Sequence, residues 1–150
     1  MIIVATDGYI VSCIGPYMAD FYNNDASITR HILLNNEEKI LDWLCQNDCM
    51  IVDRGFRDAL DLIKSFGYQV FMPSFLPRVQ RQYTSLEGNN NRLITVLRWV
   101  IEAVNGRIKQ WKIFNQIFPN SSLKNIHAYV SIVCALINRF RSPFVQDISN

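Results

Sequence analysis

The sequence CMIVDRGF, residues 49–56, places Asp53 directly after a short apolar run. Residues 56–66 then have apolar side chains at helical spacing, Gly67 ends that segment, and residues 68–72 (YQVFM) are typical of a second short strand. A strand–helix–strand order predicts two parallel strands joined by a crossover helix. Because ligands collect beyond the carboxyl ends of parallel strands, Asp53 stands where we expect a functional site.

Upstream of this unit the pattern changes to a hairpin and helices. Two apolar segments, residues 1–6 and 9–14, are separated by Asp-Gly, which predicts antiparallel strands joined by a tight type I′ turn. The polar residues 23–25 offer N-cap side chains to a helix through residues 28–33. A short amphipathic helix is expected at residues 37–45. Asp7 is best explained by its turn and Asp25 by its cap.

Downstream of the crossover unit, residues 74–89 are polar and basic and contain proline, which predicts a loop. A long helix is expected at residues 90–114 and a last one at residues 123–140. Glu102 lies on the polar side of the long helix, where it faces a site or water. The apolar residues at helical spacing, which we expect to form the buried stripe, are Leu93, Val96, Leu97, Val100, Val104, Ile108 and Trp111.

The composition predicts one domain, since 150 residues that are 49% hydrophobic with a net charge of only +2 can bury a core. Residues 1–77 hold ten acids and five bases, whereas residues 78–150 hold ten bases and three acids. The basic half is predicted to meet DNA phosphates, although basic residues are often only solvated surface. These residues are Arg78, Arg81, Arg92, Arg98, Arg107, Lys109, Lys112, Lys124, Arg139 and Arg141.

The four cysteines, Cys13, Cys45, Cys49 and Cys134, form no paired metal-binding motif. We interpret them as small core residues in a reducing compartment, with a disulfide as the alternative. The N-terminus has no basic region and its apolar run is too short for a signal peptide or a membrane span. We therefore expect an intracellular protein without a membrane association.

Asp53 and Glu102 are the residues that we predict to bind a metal. Magnesium prefers oxygen ligands and keeps several waters, so two or three carboxylates on rigid elements are enough to hold it. Two such ions activate the attacking water and stabilise the leaving oxygen in phosphodiester cleavage. The alternative is structural: Asp53 is a turn or cap residue, and Glu102 pairs with Arg98 one helical turn earlier.

Several blocks of this sequence resemble the DDE endonuclease domain of Harbinger-type transposases and of the Harbinger transposase-derived nucleases. They occur in the same order and spacing over nearly the whole chain. The most specific block is the last one, which contains Glu102. The matching blocks are DGYI (residues 7–10), GPY (15–17), NDA (24–26) with Ile28, IVDRGF (51–56), and RLIT (92–95) continuing through RWVIEAVNGRIK (98–109).

The resemblance implies a ribonuclease H-like fold, a mixed sheet with flanking helices, and two-metal cutting and joining of DNA with Mg or Mn. It also implies a nuclear location. Asp53 matches the second acid of the catalytic triad and Glu102 the third, while no residue matches the first. We therefore expect residues 1–150 to be a single, N-terminally truncated domain that starts at the second-strand hairpin and cleaves weakly or not at all.

Two further expectations follow from this resemblance. An open sheet edge would invite a second copy or another protein as a partner. The alternative to a nuclease is a non-catalytic nucleic-acid- or protein-binding module derived from a transposase.

Overall fold

The computed structural model describes residues 1–18, 20, 22–76 and 82–144. It is a mixed α/β structure that divides into two compact units, one of residues 1–16 with 99–150 and the other of residues 17–98. Within the described residues the strands form two separate two-stranded sheets, which are smaller than the single mixed sheet expected of a ribonuclease H-like fold. The single domain over residues 1–150 stays a prediction.

The chain opens with the predicted antiparallel hairpin of β1 (Ile2–Val4) and β2 (Ile10–Cys13). Its turn differs from the prediction. The amide of Ala5 donates to the carbonyl of Tyr9 at 2.8 Å, so the loop has three residues and not the two of a type I′ turn. Gly8, with φ +95°, supplies the left-handed position that such a loop needs. The shifted register at Val4 accounts for the extra residue.

Helix α1 (Asp25–Asn35) begins as predicted after an N-cap, which is Asn24: its side chain accepts a hydrogen bond from the Ser27 amide at 2.9 Å. The interpretation of Asp25 as the cap was therefore wrong. The amphipathic helix predicted at residues 37–45 is instead a 3₁₀ segment, Glu37–Asp42. The backbone of Glu38 and Lys39 is left-handed, which prevents a regular α-helix there.

The strand–helix–strand unit is confirmed. Strands β3 (Cys49–Ile51) and β4 (Gln69–Phe71) are parallel, and they are joined by a 3₁₀ segment, Arg54–Ala59, followed by α2 (Leu60–Ser65). Strand β3 is half-buried and not fully buried as predicted, since an apolar run alone does not say which face is covered. The core of this unit consists of Ala26, Leu33, Ala59, Ile63 and Tyr68.

Helix α3 (Ser85–Lys109) starts five residues before its predicted first residue, so the loop prediction was wrong for its last part. A capping box explains the early start. The Glu87 carboxylate accepts from the Thr84 amide at 3.0 Å, and the Thr84 hydroxyl accepts from the Glu87 amide at 3.3 Å. The part of the predicted loop at residues 77–81 lies outside the described residues.

The apolar stripe of α3 is buried over only part of its length. Val100, Val104 and Ile108 are buried as predicted, whereas Leu93 and Val96 are 61% and 58% exposed. Helical spacing predicts which side of a helix is apolar but not how far the packing partner extends along it. Residues 85–98 of the helix belong to one unit and residues 99–109 to the other.

Helix α4 (Ile126–Phe140) follows a 3₁₀ segment, Asn120–Asn125, so it begins three residues later than predicted. Its Asn138 side chain both donates to the carbonyl of Ile10 and accepts from its amide, each at 2.9 Å. These two bonds fix the end of α4 to strand β2. The core of this unit consists of Ile10, Val104, Ile108, Val133, Cys134 and Ile137.

The cysteines are all free thiols, but only Cys134 is buried and Cys13 half-buried. Cys45 and Cys49 are exposed, so their interpretation as core residues was wrong. A hydrogen bond to Cys13, together with burial, raises the pKa of the Cys134 thiol. Among the described residues, none of the helices has the length and apolarity needed to cross a membrane.

Candidate functional site

Asp53 stands two residues after the end of β3, at the carboxyl end of the parallel pair. It is the N-cap of the following 3₁₀ segment, and its Oδ1 accepts a hydrogen bond from the Gly55 amide at 2.7 Å. The cap role that the sequence left open is therefore confirmed. This bond engages one carboxylate oxygen, Oδ1. The other, Oδ2, takes no part in the backbone cap.

The second oxygen of Asp53 faces a cation. Nη2 of Arg98, on helix α3, lies 3.4 Å from Oδ2. The two side chains are 38% and 26% exposed, so the ion pair contributes only about 0–1 kcal/mol to folding stability. The sequence offered Arg98 as a partner for Glu102. The structure pairs it with Asp53, which is 45 residues away along the chain.

A further carboxylate lies next to Asp53. A Cβ atom placed on Gly55 would lie 3.0 Å from Oδ1 of Asp53 and 3.1 Å from Oδ2 of Asp25. Both carboxylates therefore border the same face of Gly55, and a side chain there would crowd them. Sequence reasoning missed Asp25 because it assigned this residue to the cap, and no local pattern shows that residues 25 and 53 converge.

Asp53 and Gly55 border an open cleft of about 350 Å³. Arg54 is held in place there by donating to the Ser74 carbonyl at 2.9 Å and to the Tyr83 hydroxyl at 3.2 Å. Guanidinium groups fixed in this way suit a phosphate, whose oxygens accept several hydrogen bonds at once. The residues that line the cleft are Asp53, Arg54, Gly55, Pro73, Thr95 and Arg98.

Glu102, the other predicted metal ligand, lies on α3 in the unit of residues 1–16 and 99–150 and is exposed. Asp53 belongs to the unit of residues 17–98. In the part of the chain that the structure describes, no group of three His, Cys, Asp or Glu side chains could hold a metal ion. The assignment of Asp53 and Glu102 as ligands stays a prediction.

The predicted basic residues are mostly on the surface. Arg98 and Arg107 are half-buried, and Arg78 and Arg81 lie outside the described residues. The exposed members of the set are Arg92, Lys109, Lys112, Lys124, Arg139 and Arg141. Exposure of this kind agrees both with DNA contacts and with a solvated surface.

Comparison with known proteins identifies the family. The sequence model of the DDE superfamily endonucleases matches residues 1–138. The chain therefore belongs to the DDE superfamily endonuclease family, a group of transposase- and nuclease-like domains that generally use divalent metals. No curated protein and no solved structure matches this chain.

Proposed function

We propose that this protein is a Harbinger-type member of its family, a divalent-metal-dependent DNA endonuclease domain in which cleavage of phosphodiester bonds is impaired, because no residue matches the first acid of the triad. The observation that supports this most is the place of Asp53: at the end of a parallel strand, in an open cleft that two arginines also line. Membership of the endonuclease family supplies the reaction class. A ribonuclease H-like arrangement and a nuclear location are parts of the same proposal.

Asp53 and Glu102 are the metal ligands in this proposal, with Mg²⁺ or Mn²⁺ as the ion. Asp53 supplies the one carboxylate of the cleft lining, and carboxylate oxygens are the preferred ligands of such an ion. The bare Gly55 fits it too, since any side chain there would fill the space beside the carboxylates of Asp53 and Asp25. When bound, the metal supplies activation of a water molecule and stabilisation of the departing oxygen.

The protein's own groups orient the carboxylate and attract the substrate. The Gly55 amide fixes one oxygen of Asp53, and the Arg98 guanidinium faces the other. Arg54, anchored to Ser74 and Tyr83, places a second positive charge on the wall of the cleft. A DNA phosphate entering the cleft would meet both guanidiniums.

The test measures metal binding first, because binding does not depend on turnover. Mn²⁺ affinity is determined from the electron paramagnetic resonance spectrum of free Mn²⁺. Mg²⁺-dependent nicking of supercoiled plasmid is then measured. We expect Asp53→Asn and Glu102→Gln each to weaken Mn²⁺ binding by more than about tenfold and to abolish any nicking. Asp58→Asn is the matched control, since Asp58 is an exposed carboxylate five residues after Asp53.

The proposal fails if Asp53→Asn and Glu102→Gln bind Mn²⁺ as tightly as the unmodified protein. It also fails if nicking persists in both variants, which would point to a contaminating nuclease. A loss that is equal in Asp58→Asn would show that only the net charge matters.

The second candidate function is a non-catalytic nucleic-acid- or protein-binding module. One observation favours it: both oxygens of Asp53 are already engaged, one by the Gly55 amide and the other by Arg98. A carboxylate with both oxygens engaged in this way stabilises the local structure and needs no metal ion. DNA binding that weakens with salt, together with no nicking and no Mn²⁺ binding, would support this function over the first.

A further inference from the structure

A second cleft lies within the unit of residues 1–16 and 99–150. It is about 70 Å³ in volume, which is room for more than one water molecule. The hairpin turn at residues 7–9 forms one wall, and Arg107 of α3 and Arg141, the residue after α4, lie on the others. This cleft shares no lining residue with the one beside Asp53.

Arg107 is held rigidly at this cleft. Its Nη2 donates to the carbonyl of Ser142 at 3.0 Å, and its guanidinium lies 3.7 Å from the centre of the Phe144 ring. Phe144 is itself fixed, because its amide donates to the Asp7 carbonyl at 2.8 Å and its ring lies against Gly8. A guanidinium that is already ordered loses little entropy when it binds an anion.

The charges around the cleft are unbalanced. Desolvation lowers the pKa of Arg107, and the positive charge of Arg141 lowers it further. Asp7 also lines the cleft, but its Oδ1 accepts from the Tyr9 amide. Among the residues that the structure describes, no carboxylate lies within ion-pair distance of Arg107 or Arg141. The two arginines outnumber Asp7, the single carboxylate of the lining, so the cleft has an excess of positive charge, and an anion bound there would reduce the repulsion between the guanidiniums.

We infer that Arg107 and Arg141 form a phosphate-binding subsite, which holds a backbone phosphate of DNA apart from the cleft at Asp53. The inference rests on the proposed function for the identity of the ligand. The subsite positions DNA and takes no part in the chemistry, since phosphate contacts fix register and orientation. Asn138 lines the same cleft, and its amide oxygen and nitrogen each bond the backbone of Ile10 in strand β2.

The test uses the salt dependence of DNA binding. A fluorescent 20-base-pair duplex is titrated in EDTA at several salt concentrations between about 50 and 200 mM, and the slope of log K against log salt is compared among variants. Each lost phosphate contact reduces the slope by about 0.9, so we expect that change in Arg107→Gln and in Arg141→Gln, and about twice that in the double variant. Thermal unfolding confirms that each variant is folded.

The control is Arg30→Gln, which makes the same chemical change outside the basic residues predicted to meet DNA. Arg30 is exposed and does not line the cleft. We expect its slope to equal that of the unmodified protein. An equal loss of slope in Arg30→Gln would overturn the subsite and leave only an effect of net charge. Arg107→Lys separates geometry from charge, because lysine keeps the charge but cannot stack on Phe144 as a planar fork or bind a phosphate bidentately.

Inorganic phosphate separates the two sources of the anion. If it shifts the NMR signal of the Arg107 side chain while Arg107→Gln leaves the DNA slope unchanged, the site binds free phosphate and the DNA assignment is wrong. No DNA binding by the unmodified protein at 50 mM salt would overturn that assignment as well.

The outcome of this experiment does not depend on the proposed nuclease activity. EDTA excludes metal-dependent cleavage from the binding measurement. Slope changes at Arg107 and Arg141 without any Mn²⁺ binding that depends on Asp53 and Glu102 would uphold the subsite and refute the proposed metal site. Metal-dependent nicking with unchanged slopes in the arginine variants would do the opposite.

Discussion

The two compact units are built in different ways. The unit of residues 17–98 comes from one continuous stretch of chain and packs around Ala59 and Ile63, both 0% exposed. The other unit joins the first 16 residues to residues 99–150 and packs around Val104, also 0% exposed. The first unit contains Asp53 and the second the arginine pair, so each has a different candidate site. Fully buried core residues thus occur both in a unit of continuous chain and in a unit of distant chain segments.

The largest expected effect comes from core truncation in the two units. Ile63→Ala removes a fully buried side chain and should lower the free energy of unfolding by about 2–5 kcal/mol. Val104→Ala removes fewer atoms and should cost about 2 kcal/mol. Denaturant titration measures both. The exposed controls, Leu34→Ala and Val96→Ala, should change stability by less than about 0.5 kcal/mol.

Native-state hydrogen exchange tests whether the two units are stabilised separately. We expect Ile63→Ala to lower amide protection mainly in residues 17–98, and Val104→Ala mainly in residues 1–16 and 99–140. If each substitution lowers protection equally in both sets of residues, the two units unfold as one cooperative structure and the distinction has no energetic meaning.

A smaller effect is expected at the hairpin turn. Gly8 has φ +95°, and a Cβ there would lie 2.9 Å from Cε2 of Phe144. Gly8→Ala should therefore destabilise the protein by about 1–2 kcal/mol. Gly106→Ala is the control from the same unit: it lies in α3 with open space around it and should stabilise by about 0.5–1 kcal/mol. Equal signs for the two variants would contradict this account.

The smallest effect concerns the capping box at the start of α3. Hydrogen bonds from the Thr84 amide and hydroxyl lower the pKa of Glu87. Because the folded pKa lies below the unfolded one, the cap stabilises the protein above the unfolded pKa and is lost as pH falls through the folded pKa. Side-chain NMR titration should give a midpoint for Glu87 below the ordinary glutamate pKa, and Thr84→Ala should raise it. An unchanged midpoint in Thr84→Ala would assign the shift to another cause.

The comparison also separates what sequence predicts from what it does not. The parallel pair and the position of Asp53 follow from local patterns within residues 49–72, so both were predictable. The start of α3 was also readable, since Thr84 and Glu87 have capping-box spacing, but the polar composition around them favoured a loop.

The surroundings of Asp53 could not be predicted in the same way. Arg98 and Asp25 meet it only through tertiary packing, and no local pattern specifies such contacts. The burial of α3 shows the same limit, because Leu93 repeats the spacing of Val100 and Val104 and yet is exposed. The spacing of apolar residues describes a single helix or strand, whereas a functional site depends on which elements come into contact.

The bonds between Asn138 and Ile10 have a consequence for biosynthesis. They join residues 128 positions apart, and ribosomes add roughly 5–20 residues per second. Strand β2 therefore emerges on the order of ten seconds before the helix that covers it is made. During translation the unit of residues 17–98 can fold first, while the nascent hairpin stays uncovered and is a natural client for chaperones until α4 leaves the exit tunnel.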